Sequence, residues 1–136
     1  LRDGAIMPTR ATSVSVGLDI AICEDVTIPA RGHKLAPTGL IMAPPENMWL
    51  MLVGRSSLIK RGLILGNAVG IIDPDYCGPD DEIRLSLFNV TDEAVHVVAG
   101  SRLAQAIVLP LHIVNTEQME SDTYENSRGG FGSSGV

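Results

Sequence analysis

The chain has 136 residues, 45% of them hydrophobic and only 4% aromatic, with a formal net charge of −6. That length fits one compact domain with a real core, and that apolar content argues against disorder. Two cysteines make neither a disulfide framework nor a zinc cluster, no apolar run approaches the roughly 18 residues of a membrane-spanning helix, and the acidic balance weighs against a nucleic acid or an anionic membrane as partner.

In chain order, the start Leu1-Arg2-Asp3 lacks the basic-then-apolar pattern of a signal peptide, so a cytoplasmic location is expected. Gly17-Leu18-Asp19-Ile20 puts Asp19 between apolar neighbours, where a carboxylate either sits in a turn or holds a hard cation such as Mg²⁺ through water. Short runs rich in Ile, Val and Leu then follow, bounded by Pro and Gly turns. They predict strands over 25–28, 33–36, 39–42, 48–53, 63–65, 83–88, 95–98 and 104–111. Strands this short and this numerous point to an all-β, jelly-roll-like distorted barrel.

Gly54-Arg55-Ser56-Ser57 stands where a strand meets the one predicted short helix, over 56–62, with a Ser N-cap and Gly62 past its end. The hydroxyls there either cap the helix or, with Arg55 and the helix N-terminus, meet a phosphate. Gly66-Asn67-Ala68-Val69-Gly70-Ile71-Ile72-Asp73 reads as a β-hairpin turn that leaves a carboxylate at a strand end. Such a hairpin offers backbone groups to the edge of a flat polar ligand. Asp73 either caps the following turn or deprotonates a water, and Tyr76 either packs on the core or presents a flat face beside it.

Farther on, Arg102-Leu103-Ala104-Gln105 brings Arg102 and Gln105 to one ligand only if the strand start is irregular, because alternation sends positions i and i+3 to opposite faces. Eight of the ten basic residues are Arg, which suits either surface ion pairs or bidentate anion recognition. From residue 116 to 136 the chain turns polar, then Gly-rich around Phe131, giving a barrel over 1–115 and a mobile Gly-rich C-terminal tail over 116–136. Glycines at that density suit wrapping of an anion, and the lone Phe131 suits a lid over an aromatic ring.

Taken together, in this order and spacing, these segments resemble the five-motif pattern of the trimeric dUTP diphosphatases (dUTPases), over about residues 8–135. The resemblance implies a jelly-roll subunit, a homotrimer with shared active sites, and hydrolysis of dUTP to dUMP and pyrophosphate with Mg²⁺. By it, Asp73 orients and activates the attacking water, and Asp19 serves the metal, through water. Asn67, Gly70, Ile71 and Ile72 belong to the hairpin that meets uracil, and Tyr76 packs on deoxyribose and excludes a ribose hydroxyl. Arg55, Ser56, Ser57, Arg102 and Gln105 serve the phosphates. Phe131 covers uracil, while Arg128, Gly132, Ser133 and Ser134 belong to the phosphate-wrapping tail.

Three departures stand out. Motif two commonly reads Pro-Arg-Ser-Gly, whereas Gly54 and Ser57 flank Arg55-Ser56 here. The run Cys77-Gly78-Pro79-Asp80-Asp81-Glu82 is longer than usual, and its acids are expected to point away from a triphosphate. Arg128 stands closer to Phe131 than in the familiar spacing. Gly54-Arg55-Ser56-Ser57-Leu58 also resembles a motif of the related dCTP deaminases, but Ser86 occupies the position of their catalytic Glu. A non-catalytic nucleotide-binding module of the same fold is the other alternative.

Overall fold

A computed structural model describes residues 3–118. Among these residues nine strands run β1 (Leu18–Ala21), β2 (Val26–Ile28), β3 (His33–Leu40), β4 (Met48–Gly54), β5 (Leu63–Leu65), β6 (Val69–Ile72), β7 (Ile83–Asn89), β8 (Val95–Val97) and β9 (Arg102–Pro110). They form three antiparallel sheets in the orders β1-β9-β4-β6, β2-β8 and β3-β7-β5. The all-β, jelly-roll-like expectation holds. No helix among the described residues is long and apolar enough to cross a membrane.

Period-two alternation builds the core. In β7 the residues Ile83, Leu85, Leu87 and Asn89 are buried, while those between them are exposed or half-buried. β4 buries Leu50 and Leu52 in the same way. Leu52, Ile83, Leu85 and Leu87 meet Ile20, Ile22, Ile28, Leu40, Leu63 and Leu103 in one apolar cluster between the sheets, and this burial is the main stabilising term.

The structure corrects three local expectations. The runs 33–36 and 39–42 are not separate strands, because β3 continues through Pro37. The register against β7 slips between Pro37 and Leu40, so Thr38 and Gly39 bulge out, and Pro is tolerated because β3 is an edge strand. The expected helix over 56–62 shrinks to one 3₁₀ turn at Ile59–Arg61. It has no side-chain cap at its start, although Gly62 closes it with φ 72°. The sequence around Asn67 turns tightly, with Ala68 N–H donating to the Leu65 carbonyl at 3.0 Å. Its flanking strands do not pair with each other, however: β5 pairs with β7 and β6 pairs with β4. Each strand finds its partner in a different sheet, so the turn carries the chain from one sheet to the other.

Cross-strand register defines the outer face of the four-stranded sheet. One rung is Asp19-Gln105-Val53-Val69 and the next is Ile107-Met51-Ile71. The third contains Leu109 and Trp49 and, when the β6 register is continued one residue, Asp73. Val69 and Ile71 are 41% and 59% exposed. This sheet is therefore apolar on both faces, unlike an ordinary one-sided sheet.

A buried polar hub sits at the end of β7. Asn89 is fully buried. Its amide nitrogen donates to the carbonyls of Ile28, Pro29 and Glu93, and its oxygen accepts from Thr91 N–H and Thr91 Oγ1. Truncation strands all of these groups. Asn89→Ala should lower the unfolding free energy by about 3 kcal/mol in urea titration; a loss below about 1 kcal/mol would contradict the hub.

Candidate active site

Asp19 is the most constrained charge in this region, with its side chain only 8% exposed. Oδ1 lies 3.0 Å from Arg55 Nε, and Oδ2 lies 3.3 Å from Arg102 Nη1. Arg55 Nη1 also donates to the Arg102 carbonyl at 3.3 Å. One carboxylate therefore ties together the ends of β1, β4 and β9. A buried charge is tolerated when paired and hydrogen-bonded. The side chains of Arg55 and Arg102 remain 30% and 54% exposed. With two cations against one anion, the cluster keeps a net positive charge toward solvent, suited to a further anion.

The irregular start required of β9 is present. Ile20 faces Ala104 but Ala21 faces Arg102, so Leu103 is an extra residue in the ladder. Both Leu103 and Ala104 are buried in succession. The freed Leu103 carbonyl accepts the Arg55 N–H at 3.0 Å. A bulge re-aims the side chains that follow it. It leaves Arg102 on Asp19 and puts Gln105 directly across from Asp19. Gly17 makes room there, since a Cβ on it would fall 2.4 Å from Gln105 Oε1.

Ser56 and Ser57 lie in the turn after Arg55, both exposed. Neither caps a helix, and a single 3₁₀ turn has no appreciable dipole to offer. The anion affinity expected of a helix N-terminus falls instead to the arginines and the two hydroxyls.

A second group of site residues gathers around Asp73. Asp73, Tyr76, Ile71 and Ile72 line a cavity of about 490 Å³ together with Asp80, Glu82 and Arg84. The turn holding them starts at β6, where Pro74 presets the backbone and Tyr76 N–H donates to the Asp73 carbonyl at 3.1 Å. The Asp73 side chain is exposed and has no hydrogen bond to the described residues. Tyr76 is 40% exposed, with its hydroxyl donating to the Glu82 carbonyl at 3.2 Å.

The inserted acids do not all point away. Asp81 turns inward on its own loop and accepts Gly78 N–H at 2.7 Å. Asp80 and Glu82 instead line the Asp73 cavity. Glu82 was not singled out from sequence, although the breaker Pro37-Thr38-Gly39 between two apolar runs signalled a bulge that needs a buried polar partner.

The two groups occupy opposite corners of one sheet face. From Asp19 to Asp73 is four residues along β4 and three strand spacings across, about 20 Å on the diagonal. Asn67 lies on the turn before β6, and Gly70 lies on β6 itself. Arg128, Phe131, Gly132, Ser133 and Ser134 lie outside the described residues.

A family model described as dUTPase matches residues 3–135. A deoxyuridine 5′-triphosphate nucleotidohydrolase of Yarrowia lipolytica is 39% identical over 142 residues, covering 100% of this chain and 86% of the relative. The crystal structure of a Streptococcus mutans dUTPase is 34% identical with a TM-score of 0.76, covering 81% of this chain and 89% of that one. The chain belongs to the dUTPase family. A dUTPase of Staphylococcus bacteriophage 80α, solved with dUpNHpp, shares the fold at 22% identity and a TM-score of 0.84, covering 100% of this chain and 95% of that one.

Family membership sharpens two points. At the position of the deaminase Glu, this dUTPase-family chain has Ser86, whose Oγ lies 2.9 Å from His33 Nε2, so no carboxylate is there. The second concerns the metal. No group of three or more His, Cys, Asp or Glu among the described residues could hold an ion, and both Asp19 oxygens already meet guanidinium groups. Mg²⁺ keeps several waters and binds through few carboxylates plus phosphate oxygens. The donors do not fit a directly ligated resident ion.

Removing the carboxylate should disorder the arginine pair. We expect Asp19→Ala to cost about 2 kcal/mol of stability, less than a fully buried pair because both arginines reach solvent. It should also weaken pyrophosphate competition at the site. Thermal unfolding and inhibition titrations check both effects, and unchanged values in both would contradict the clamp.

Proposed function

We propose that the chain hydrolyses dUTP to dUMP and pyrophosphate in a site assembled between copies of itself. The observation that carries this reading is the separation of the arginine corner from the Asp73 corner. A water held on Asp73 must attack the α-phosphorus. The β- and γ-phosphates lie only two P–O–P links beyond, well short of Arg55 in the same chain. The apolar outer face between the corners suits a second copy, and a head-to-tail contact of this kind joins one copy's arginine corner to its neighbour's Asp73 corner. Closure of such a contact gives a ring, and the family resemblance supports three copies.

In that site uracil enters where the turn at 66–68 joins two edge strands of different sheets. Backbone groups around Asn67, Gly70, Ile71 and Ile72 supply a polar edge that β5 does not occupy. Deoxyribose packs on the open face of Tyr76, leaving no room for a 2′-hydroxyl. Arg55 and Arg102 bind phosphate oxygens, helped by Ser56, Ser57 and Gln105. Phe131 covers the base, and Arg128, Gly132, Ser133 and Ser134 close on the phosphates from the tail at 116–136.

Asp73 takes the proton from water as oxygen attacks in line with the departing pyrophosphate. The bond to the bridging oxygen breaks as the new P–O bond forms, and the arginines stabilise the charge that develops on the leaving oxygens. Magnesium bound to the phosphates supplies further charge neutralisation. No covalent nucleophile is required.

Asp73→Asn should bind dUpNHpp with an affinity near that of the wild type and lose about 10²–10⁴-fold in pyrophosphate release. Near-normal turnover by that variant would remove Asp73 from its role. Pyrophosphate release from dUTP, UTP, dCTP and dTTP should favour dUTP, and a preference for UTP would contradict the Tyr76 wall.

A further inference from the structure

We propose that Glu82 is a positioning residue for sugar selection, because its side chain locks the backbone to which the Tyr76 hydroxyl is tied. The proposal rests on the reading of Tyr76 as the wall against deoxyribose.

The chain of contacts begins at the β3 bulge. Pro37 pairs with Arg84 and Leu40 with Ile83, so Thr38 and Gly39 have no place in the ladder. Both are buried, and Gly39 is held at φ +68°, where a side chain is disfavoured. Their polar groups must be satisfied from β7 or from its approach. Glu82 Oε1 accepts the Gly39 N–H at 2.8 Å. Thr38 Oγ1 donates to the Ile83 carbonyl at 2.5 Å and accepts the Leu40 N–H at 3.2 Å. The other Glu82 oxygen, Oε2, meets Arg84 Nε at 3.2 Å. Glu82 itself is only 6% exposed.

Residues 82 and 83 are therefore gripped from β3 by two side-chain bonds. The carbonyl of this gripped Glu82 accepts the Tyr76 hydroxyl. The Tyr76 N–H is fixed at the other end by the Asp73 carbonyl. Tyr76 is thus held at its backbone and at its hydroxyl, and it lines the cavity that Glu82 also lines. Rejection of a single extra hydroxyl depends on where the ring lies, and displacements of about 1 Å at such positions cost large factors. The inserted Pro79-Asp80-Asp81 lengthens the loop between Tyr76 and Glu82, which makes a remote anchor for the ring more necessary.

The test compares kcat/KM for dUTP and UTP in Glu82→Ala, Glu82→Gln, Tyr76→Phe and Tyr76→Ala. Folding is checked by circular dichroism. Glu82→Ala and Tyr76→Phe should each lower the dUTP/UTP ratio about tenfold, the scale of one lost positioning hydrogen bond. Glu82→Gln retains an oxygen for Gly39 and should keep the ratio within about threefold of wild type. A folded Glu82→Ala with the wild-type ratio overturns the proposal. If Glu82→Ala does not fold, Tyr76→Phe decides, and an unchanged ratio there overturns it. A wild-type ratio in Tyr76→Ala instead means that the wall reading itself has failed.

Discussion

A carboxylate almost out of reach of water needs cations or hydrogen-bond donors against it. Asp19 is held in that way by Arg55 and Arg102, and three strand ends converge on the resulting cluster. The antiparallel β4–β9 ladder brings the start of β9 beside the end of β4, but regular pairing alone does not turn both guanidinium groups to one carboxylate. The bulge at Leu103 makes this possible, because its carbonyl then binds the Arg55 backbone while Arg102 turns to Asp19. The cost of burying one anion is offset by two partly solvated cations, and the surplus positive charge faces outward. A strongly acidic chain can thus bind a small polyanion by local convergence, whatever its net charge.

The same sheet carries the second constraint. Its outer face is apolar between the Asp19 corner and the Asp73 corner, with Ile71 and Val69 well exposed. In a monomer this surface would be left in water, and the two corners would be too far apart to act on one nucleotide. The proposed contact between copies would answer both problems. The apolar centre would supply association energy, while the charged corners would set its direction.

Much of this was legible in sequence. The Ile/Val/Leu runs marked most strands, and the turn around Asn67 was local and readable. What escaped depended on distant partners. β1 is short and contains Asp19, which is held there by Arg55 and by Arg102, the latter arriving from 83 residues away. The turn at 66–68 looked like a hairpin, yet β5 and β6 were claimed by β7 and β4. Ser56 had the chemistry of a cap, but only one 3₁₀ turn followed. Glu82 looked like one more surface acid in a charged run. The bulge that buries it lies 43 residues earlier, at Gly39.

Mixing two inactive variants tests the shared site most directly. Asp73→Asn keeps the arginine corner, and Arg55→Ala keeps the Asp73 corner. Co-refolded at equal amounts, random rings should pair intact corners at about one interface in four. The account predicts recovery of about a quarter of wild-type pyrophosphate release. Activity no higher than the mean of the two separate variants would contradict it.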